Sequence, residues 1–283
     1  MTLSIVAWDP FAGPEWGVAV ASKFLSVGAI VPWARAGVGA VATQAFANVS
    51  YGQDGLELLE SGLDAPATSA ALLEGDHLRS QRQIGIVDAQ GGSATATGED
   101  CLDWAGGRTG LGYACQGNIL TGPQVIEAMA SSFESSGGTL ARRLFQALAA
   151  GEAAGGDRRG RQSAALLVVR AGGGYAGGSD VAVDLRVDDH ADPIAELERL
   201  MGVHELLFPN PASLEWVELK APLPAQIRRA LTARGIDTGA GRGYSADLRE
   251  ALRSWVGMEN LEHRWSDEAI IDRTVLGILL GEV

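Results

Sequence analysis

The strongest constraint on the fold is a set of short apolar runs that show no polar face. Residues 2–8, 16–22 and 37–44 are rich in Val, Ala and Ile, are bounded by Gly or Pro, and are apolar at odd and even positions alike. A strand with one wet face alternates apolar and polar residues, whereas a strand covered on both faces need not. Similar runs lie at 83–88, 93–97, 112–118, 162–170 and 181–187. Between them fall helical patterns at 53–61 and 64–74, at about 122–135 and 139–152, and from about 192 to 207. Asp64 is the expected N-cap of the second helix. The turn over residues 9–14 and the turn Gln90-Gly91-Gly92 each fold neighbouring strands into a hairpin.

Strands, two helices, strands, two helices, strands is an order that excludes a simple βαβ array. Two antiparallel sheets stacked face to face, with a helix pair on each outer face, bury every apolar surface. The expected fold is therefore α+β, a four-layer αββα sandwich over residues 1–208. Residues 209–224 contain Pro209, Pro211, Pro222 and Pro224 and read as a linker. Residues 225–283 read as a small helical domain with three helical patterns and no strand, around Ile227 and Leu231, Leu248 and Trp255, and Val275 and Leu279. A module of that size is small for independent stability, so it is expected to dock on the main domain or on a partner subunit.

The composition narrows the partners. The 283 residues carry a net charge of -13, which argues against nucleic acid and against an anionic membrane surface. No apolar run reaches the ~18–20 residues of a spanning helix, and the chain begins on its first strand with no signal-peptide core. The two cysteines, Cys101 and Cys115, form neither a disulfide framework nor a metal-binding cluster. A reducing, cytoplasmic compartment is the expectation, with no metal and no cofactor.

Thr2 opens the first strand. If Met1 is removed, Thr2 carries a hydroxyl and a free α-amine on one residue, and an adjacent N-terminal amine is a known activator of a threonine nucleophile. Such an amine titrates near ~7.7–8.0, close to where a general base works best. Polar residues also end several apolar runs: Ser22, Thr43 and Gln44, and Asn118. Asn118 or Gln44 can supply a side-chain N–H to an oxyanion, with Ser22 and Thr43 beside the substrate; alternatively these residues cap turns and loose backbone ends. The run 155–162 holds Asp157, Arg158, Arg159 and Arg161 before an apolar strand. Arg159 and Arg161 are candidates to bind a substrate carboxylate, Arg161 in bidentate fashion; the other reading is a solvated loop with an internal ion pair. Asp184, Arg186 and Asp188 share one strand face and read as salt-bridged, with Asp189 or Asp192 capping the helix that follows. His77, His204 and His263 show no triad spacing, and no G-x-S-x-G elbow is present.

The blocks Thr2–Ala7, Gly17–Ser22, Gly37–Gln44, Gln116-Gly117-Asn118, Gly155–Ala165 and Asp184–His190 resemble, in order and spacing, a bacterial and archaeal family called domain of unknown function 1028. That family is placed in the N-terminal nucleophile (Ntn) hydrolase superfamily, and the resemblance covers about residues 1–208. The 225–283 segment resembles the peptidoglycan-binding-like domain often attached to it. The resemblance implies an αββα fold and cleavage of an amide bond, with Thr2 as nucleophile and its amine as proton shuttle. It also implies that Asp157 orients the amine. Proteasome-type subunits carry a lysine near the fourth element; the corresponding stretch from Val27 to Arg35 has none, and Lys23 and Arg35 are the nearest cations.

The expected function is hydrolysis of a small, carboxylate-bearing amide, with Thr2, Asn118, Asp157 and Gln44 catalytic and Ser22, Thr43, Arg161 and Arg159 binding substrate. The alternative is a non-catalytic scaffold on the same fold, whose C-terminal module grips a glycan or a partner. A homodimer is expected on general frequency alone.

Overall fold

The computed structural model of the chain describes residues 2–11 and 13–282. These fall into two compact units, divided between Leu200 and Met201.

In the first unit the strands are β1 (Thr2–Asp9), β2 (Glu15–Ser22), β3 (Pro32–Arg35) and β4 (Gly39–Ala45), followed by α1 (Ser50–Glu60) and α2 (Ala65–Leu73). Then come β5 (Arg82–Asp88), β6 (Ser93–Thr97), β7 (Gly106–Gly110) and β8 (Tyr113–Asn118), α3 (Gln124–Ser135) and α4 (Leu140–Ala153), β9 (Ser163–Val169) and β10 (Val181–Val187). Helix α5 (Pro193–Leu207) crosses the division between the units. Six strands form one antiparallel sheet in the order β10-β9-β2-β1-β8-β7, and four form another in the order β3-β4-β5-β6.

Side-chain period decides what each face meets. On β4, Val41 packs with Tyr51, Leu56, Leu59 and Leu72 of α1 and α2, and Ile84 and Ile86 of β5 join them. The intervening residues Ala40, Ala42 and Val87 turn the other way and pack with Val6, Val18, Val20, Ala114 and Ala165 of the larger sheet. Helices α3 and α4 lie against β1, β2, β7, β8 and β9 of that sheet. Strands covered on both faces are therefore a property of the structure as well as of the sequence. Both expected hairpins form, β1 with β2 and β5 with β6. Asp64 caps α2, its carboxylate accepting the Ala67 N–H at 2.8 Å, and Asp192 accepts the Ala195 N–H at 3.2 Å in the first turn of α5.

Two strands escape the sequence pattern. β3 is four residues long and opens on a proline; β7 is Gly-Gly-Arg-Thr-Gly, whose composition disfavours a strand. Each exists because an edge is offered, by β4 and β8 respectively.

The second unit is not purely helical, which corrects the reading of residues 209–224 as linker and of 225–283 as strand-free. β11 (Trp216–Glu218) lies in the former and β12 (Ile270–Asp272) in the latter, and they pair antiparallel, Trp216 opposite Asp272. Between and after them run α6 (Leu223–Ala233), α7 (Ala246–Met258) and α8 (Arg273–Leu280). Their core includes Ile227, Leu231, Leu248, Leu252, Trp255, Ile271, Val275 and Leu279. Asp272 is the hinge pin: it is 1% exposed, accepts the Thr274 and Val275 N–H groups at 3.1 and 3.2 Å, and pairs with Arg264 at 3.0 Å. No helix of the described residues is long and apolar enough to cross a membrane.

Candidate active site at the polar end of the sheet interface

The space between the two sheets changes character along its length. At one end it is filled by Val, Ala and Trp16. At the other, the same strand faces carry polar residues, because period two continues past the apolar positions: Thr2 and Ser4 on β1, Ser22 on β2, Gln44 on β4, Gln83 on β5, and Gln116 and Asn118 on β8. All are buried.

Buried polar groups need partners, and here they supply them to one another, apart from Gln116 Oε1, which is buried without one. Thr2 lies opposite Asn118 in the β1–β8 register, and its Oγ1 is 3.2 Å from Ser22 Oγ. The Ser4 hydroxyl donates to Gln44 Oε1 at 2.6 Å and accepts from Gln116 Nε2 at 2.6 Å. Gln44 Nε2 donates to Gln83 Oε1 at 2.8 Å and lies 3.5 Å from the Thr2 carbonyl oxygen. Asn118 Nδ2 donates to the same Gln83 oxygen at 2.8 Å. Gln83 in turn donates to the Gly117 carbonyl at 2.7 Å and the Thr97 hydroxyl at 2.9 Å. Gln83 is thus the hub of a polar seam joining the two sheets. Gln116 fits only because residue 85 is glycine: a Cβ there would stand 2.0 Å from Gln116 Oε1.

Of the residues expected from the sequence, Thr2, Ser22, Gln44 and Asn118 converge. Gln44 takes a different part from an oxyanion donor, since its amide is directed at Gln83 and the Thr2 carbonyl. Thr43 does not join them. One residue out of phase with Gln44, it faces away, and its hydroxyl donates to the Asn48 carbonyl at 2.9 Å. Asp157 is buried, but its carboxylate accepts the Lys23 and Arg159 backbone N–H groups at 2.9 and 2.8 Å and pairs with the Arg159 guanidinium at 3.5 Å. It therefore ties the end of β2 to the 157–161 loop. Arg161 is engaged by Glu152 at 2.6 Å and Asp192 at 3.5 Å. The cations nearest in sequence turn elsewhere, Lys23 Nζ to the Arg161 carbonyl at 3.2 Å and Arg35 to Glu60. Asp184 pairs with Arg186 at 2.8 Å. Met1, whose removal the sequence reading requires, lies outside the described residues.

The sequence reading missed Ser4, Gln83 and Gln116. The signal available was a polar residue at every second position of otherwise apolar strands, Ser4 in β1 and Gln116 two residues before Asn118.

The backbone is strained at this same end. Ser26, Ala45 and Ile119 have φ of 53°, 64° and 50°, in the left-handed region that non-glycine residues avoid. Ala45 and Ile119 directly follow Gln44 and Asn118, and Ser26 lies four residues beyond Ser22. Such residues cost about 1–3 kcal/mol each and gather at functional sites. The hollow between α1 and α2, about 770 Å³ and lined by Tyr51, Asp54, Asp76 and His77 among others, does not include Thr2.

Two antiparallel sheets, each carrying a helix pair and joined by a buried polar seam that ends at Thr2, define a mixed α/β protein with one distinctive sheet-end site. The chain belongs to the family described as "Family of unknown function (DUF1028)", whose model matches residues 2–197. A second model, described as "Putative peptidoglycan binding domain", matches residues 208–279. Among solved structures the chain is similar to protein SPO2555 from Silicibacter pomeroyi, a crystal structure assigned to the same family. The two are 32% identical with a TM-score of 0.66, over 72% of this chain and 89% of that one. No curated protein matches.

Proposed function

We propose that the first unit is an αββα sandwich of the Ntn type that hydrolyses an amide bond in a small, carboxylate-bearing molecule. In this mechanism Met1 is removed and the Thr2 α-amine takes the proton of the Thr2 hydroxyl as Oγ1 attacks the amide carbonyl. The tetrahedral intermediate collapses to an acyl ester on Thr2, the leaving nitrogen receives the proton from the amine, and water then hydrolyses the ester. The second hydrogen of Asn118 Nδ2, not directed at Gln83, serves the oxyanion, and Ser22 Oγ holds the nucleophile. The observation that carries this reading is the Thr2 hydroxyl, 3.2 Å from Ser22 and paired across the sheet with Asn118, at the strained end of the polar seam.

Thr2→Ala should abolish hydrolysis of a confirmed amide substrate while Thr2→Ser retains it. Equal rates in Thr2→Ala and wild type would overturn the mechanism, as would intact mass spectrometry showing Met1 quantitatively retained in active protein. Unpaired Cys101 and Cys115 suit the reducing, cytoplasmic setting of this reading, and sedimentation velocity tests its homodimer.

A second reading rests on the match of residues 208–279 to a domain named for peptidoglycan. Here the protein is a non-catalytic binder, and the second unit grips a glycan or its peptide. The hollow of about 470 Å³ beside Arg229 and Arg234 offers cations to a carboxylate. Co-sedimentation of the full chain with purified sacculi, lost in Arg229→Glu/Arg234→Glu, supports it; no co-sedimentation rejects it.

A further inference from the structure

The seam explains Thr2, Ser22 and Asn118 but not what surrounds them. The strands that end in Ser22 and near Gln44 continue into large apolar side chains held in water. Two and three residues beyond Ser22 stand Phe24 and Leu25, 54% and 58% exposed. Two beyond Gln44 stands Phe46, 60% exposed. Ile119, next to Asn118, donates its backbone N–H to the carbonyl of Leu102 at 2.8 Å, and Leu102 is exposed. Single exposed apolar residues are ordinary, but a cluster marks a binding surface. This one comes from three separate segments at one end of the sheet interface.

Phe46 is also held in place. It follows Ala45 in its left-handed conformation. The Arg82 guanidinium donates to the Phe46 carbonyl and lies 5.3 Å from the centre of its ring. Arg82 is itself anchored on Asp76 at 2.8 Å. An aromatic ring fixed in solvent by strain and an ion pair is preorganised for an apolar partner.

Cations interleave with these residues. Lys23 separates Ser22 from Phe24 and is exposed; its ammonium keeps its charge while one hydrogen goes to the Arg161 carbonyl at 3.2 Å. Arg158, also exposed, donates its backbone N–H to the Ile119 carbonyl at 3.3 Å, and Arg159 follows it. On a chain of net charge -13 this sets two exposed cations, Lys23 and Arg158, beside the rim of the apolar residues, while the Arg159 guanidinium is paired with Asp157. A second copy of the chain seated patch against patch would bring like charges together, so the rim fits an anionic small molecule better than itself.

We infer that the Thr2 end binds an anionic amphiphilic amide. A carboxylate lies toward Lys23 and Arg158, and an apolar acyl chain of several carbons is covered by Phe24, Leu25 and Phe46. The inference rests on the reading of the Thr2 end as a site for amides, but it concerns recognition, not bond cleavage.

Calorimetric titration of the full chain, as wild type and as Thr2→Ala, with N-acetylglycine, N-octanoylglycine and N-octanoylglycinamide tests it. N-octanoylglycine should bind about tenfold or more tightly than N-acetylglycine, since buried methylenes drive the difference. Phe24→Ser and Phe46→Ser should each reduce that preference to threefold or less. Lys23→Gln/Arg158→Gln should weaken the acid and leave the uncharged amide unchanged. Absence of saturable N-octanoylglycine binding, or a preference untouched by the two serine variants, overturns the inference. So does a switch from dimer to monomer in the serine variants with affinities unaltered, which would make the patch an interface between copies. If N-octanoylglycine binds as expected but wild type releases no glycine from it, the recognition stands and the hydrolytic reading fails.

Discussion

Gln83 joins more of the polar seam than any of the strand-end residues beside it. Its carbonyl oxygen serves Gln44 and Asn118, and its amide serves Gly117 and Thr97. Gln83→Leu keeps the volume but takes from buried Asn118 Nδ2 its partner and from Gln44 Nε2 its shortest bond, at about 1–3 kcal/mol for each orphan. Urea denaturation should show a loss of several kcal/mol, and any Thr2-dependent activity should fall with it. A second residue-scale prediction concerns pH. The Tyr51 hydroxyl, buried and donating to Asp76 at 2.5 Å, is pushed up to about 12. In the unfolded chain it titrates near ~10, so the pairing stabilises the fold below that pH and is lost as the pH climbs toward the raised value. Asp76 moves the other way: hydrogen bonds from Arg82 and then Tyr51 hold it below the usual carboxylate range. Its contribution is present above pH ~4 and fades as the pH falls through the lowered value. Tyr51→Phe should flatten the alkaline limb of the urea midpoint between about pH 10 and 12.

At the scale of elements, strand ends and helix starts behave differently. Helix starts are local. Asp64 caps α2 through a contact three residues away, which the sequence pattern announced, and Asp64→Ala should lower stability by about 1 kcal/mol in thermal unfolding. Strand ends are not local. Ala45 is driven to φ 64° because β4 must pair with β5 up to Arg82 and then leave at once toward Phe46. Ala45→Gly removes a left-handed penalty of about 1–2 kcal/mol and adds about 0.4–1 kcal/mol of unfolded-state entropy cost. The variant should therefore unfold at a slightly higher temperature. Thr43 and Gln44 make the same point: adjacent in sequence and both polar, they serve opposite faces, and only pairing with β5 decides which one joins Thr2.

For the whole molecule, the two units have separate cores, one between and around the sheets and one around Trp255. Asp272→Ala leaves Arg264 without its buried partner and α8 without its cap, a loss of about 3–5 kcal/mol. Hydrogen exchange should then show lost protection in residues 201–282, with protection in β1, β2 and β8 kept.

The sequence by itself determined the hairpins, the helix pairs, the caps and the place of Thr2 at the head of the first strand, because periodicity and capping act over a few residues. It also determined that Ser22, Gln44 and Asn118 end apolar runs. What it did not hold was the meeting of faces. Period two says which residues share a side of a strand, but which sides meet depends on how two sheets stack, a relation between positions 83, 116 and 4 that no local pattern encodes. The same holds for β11 and β12: runs of three residues carry no periodic signal and become strands only because each completes the other's hydrogen bonds. Tertiary structure therefore decided the hub at Gln83 and the exclusion of Thr43 from the seam, both through long-range pairing of buried surface.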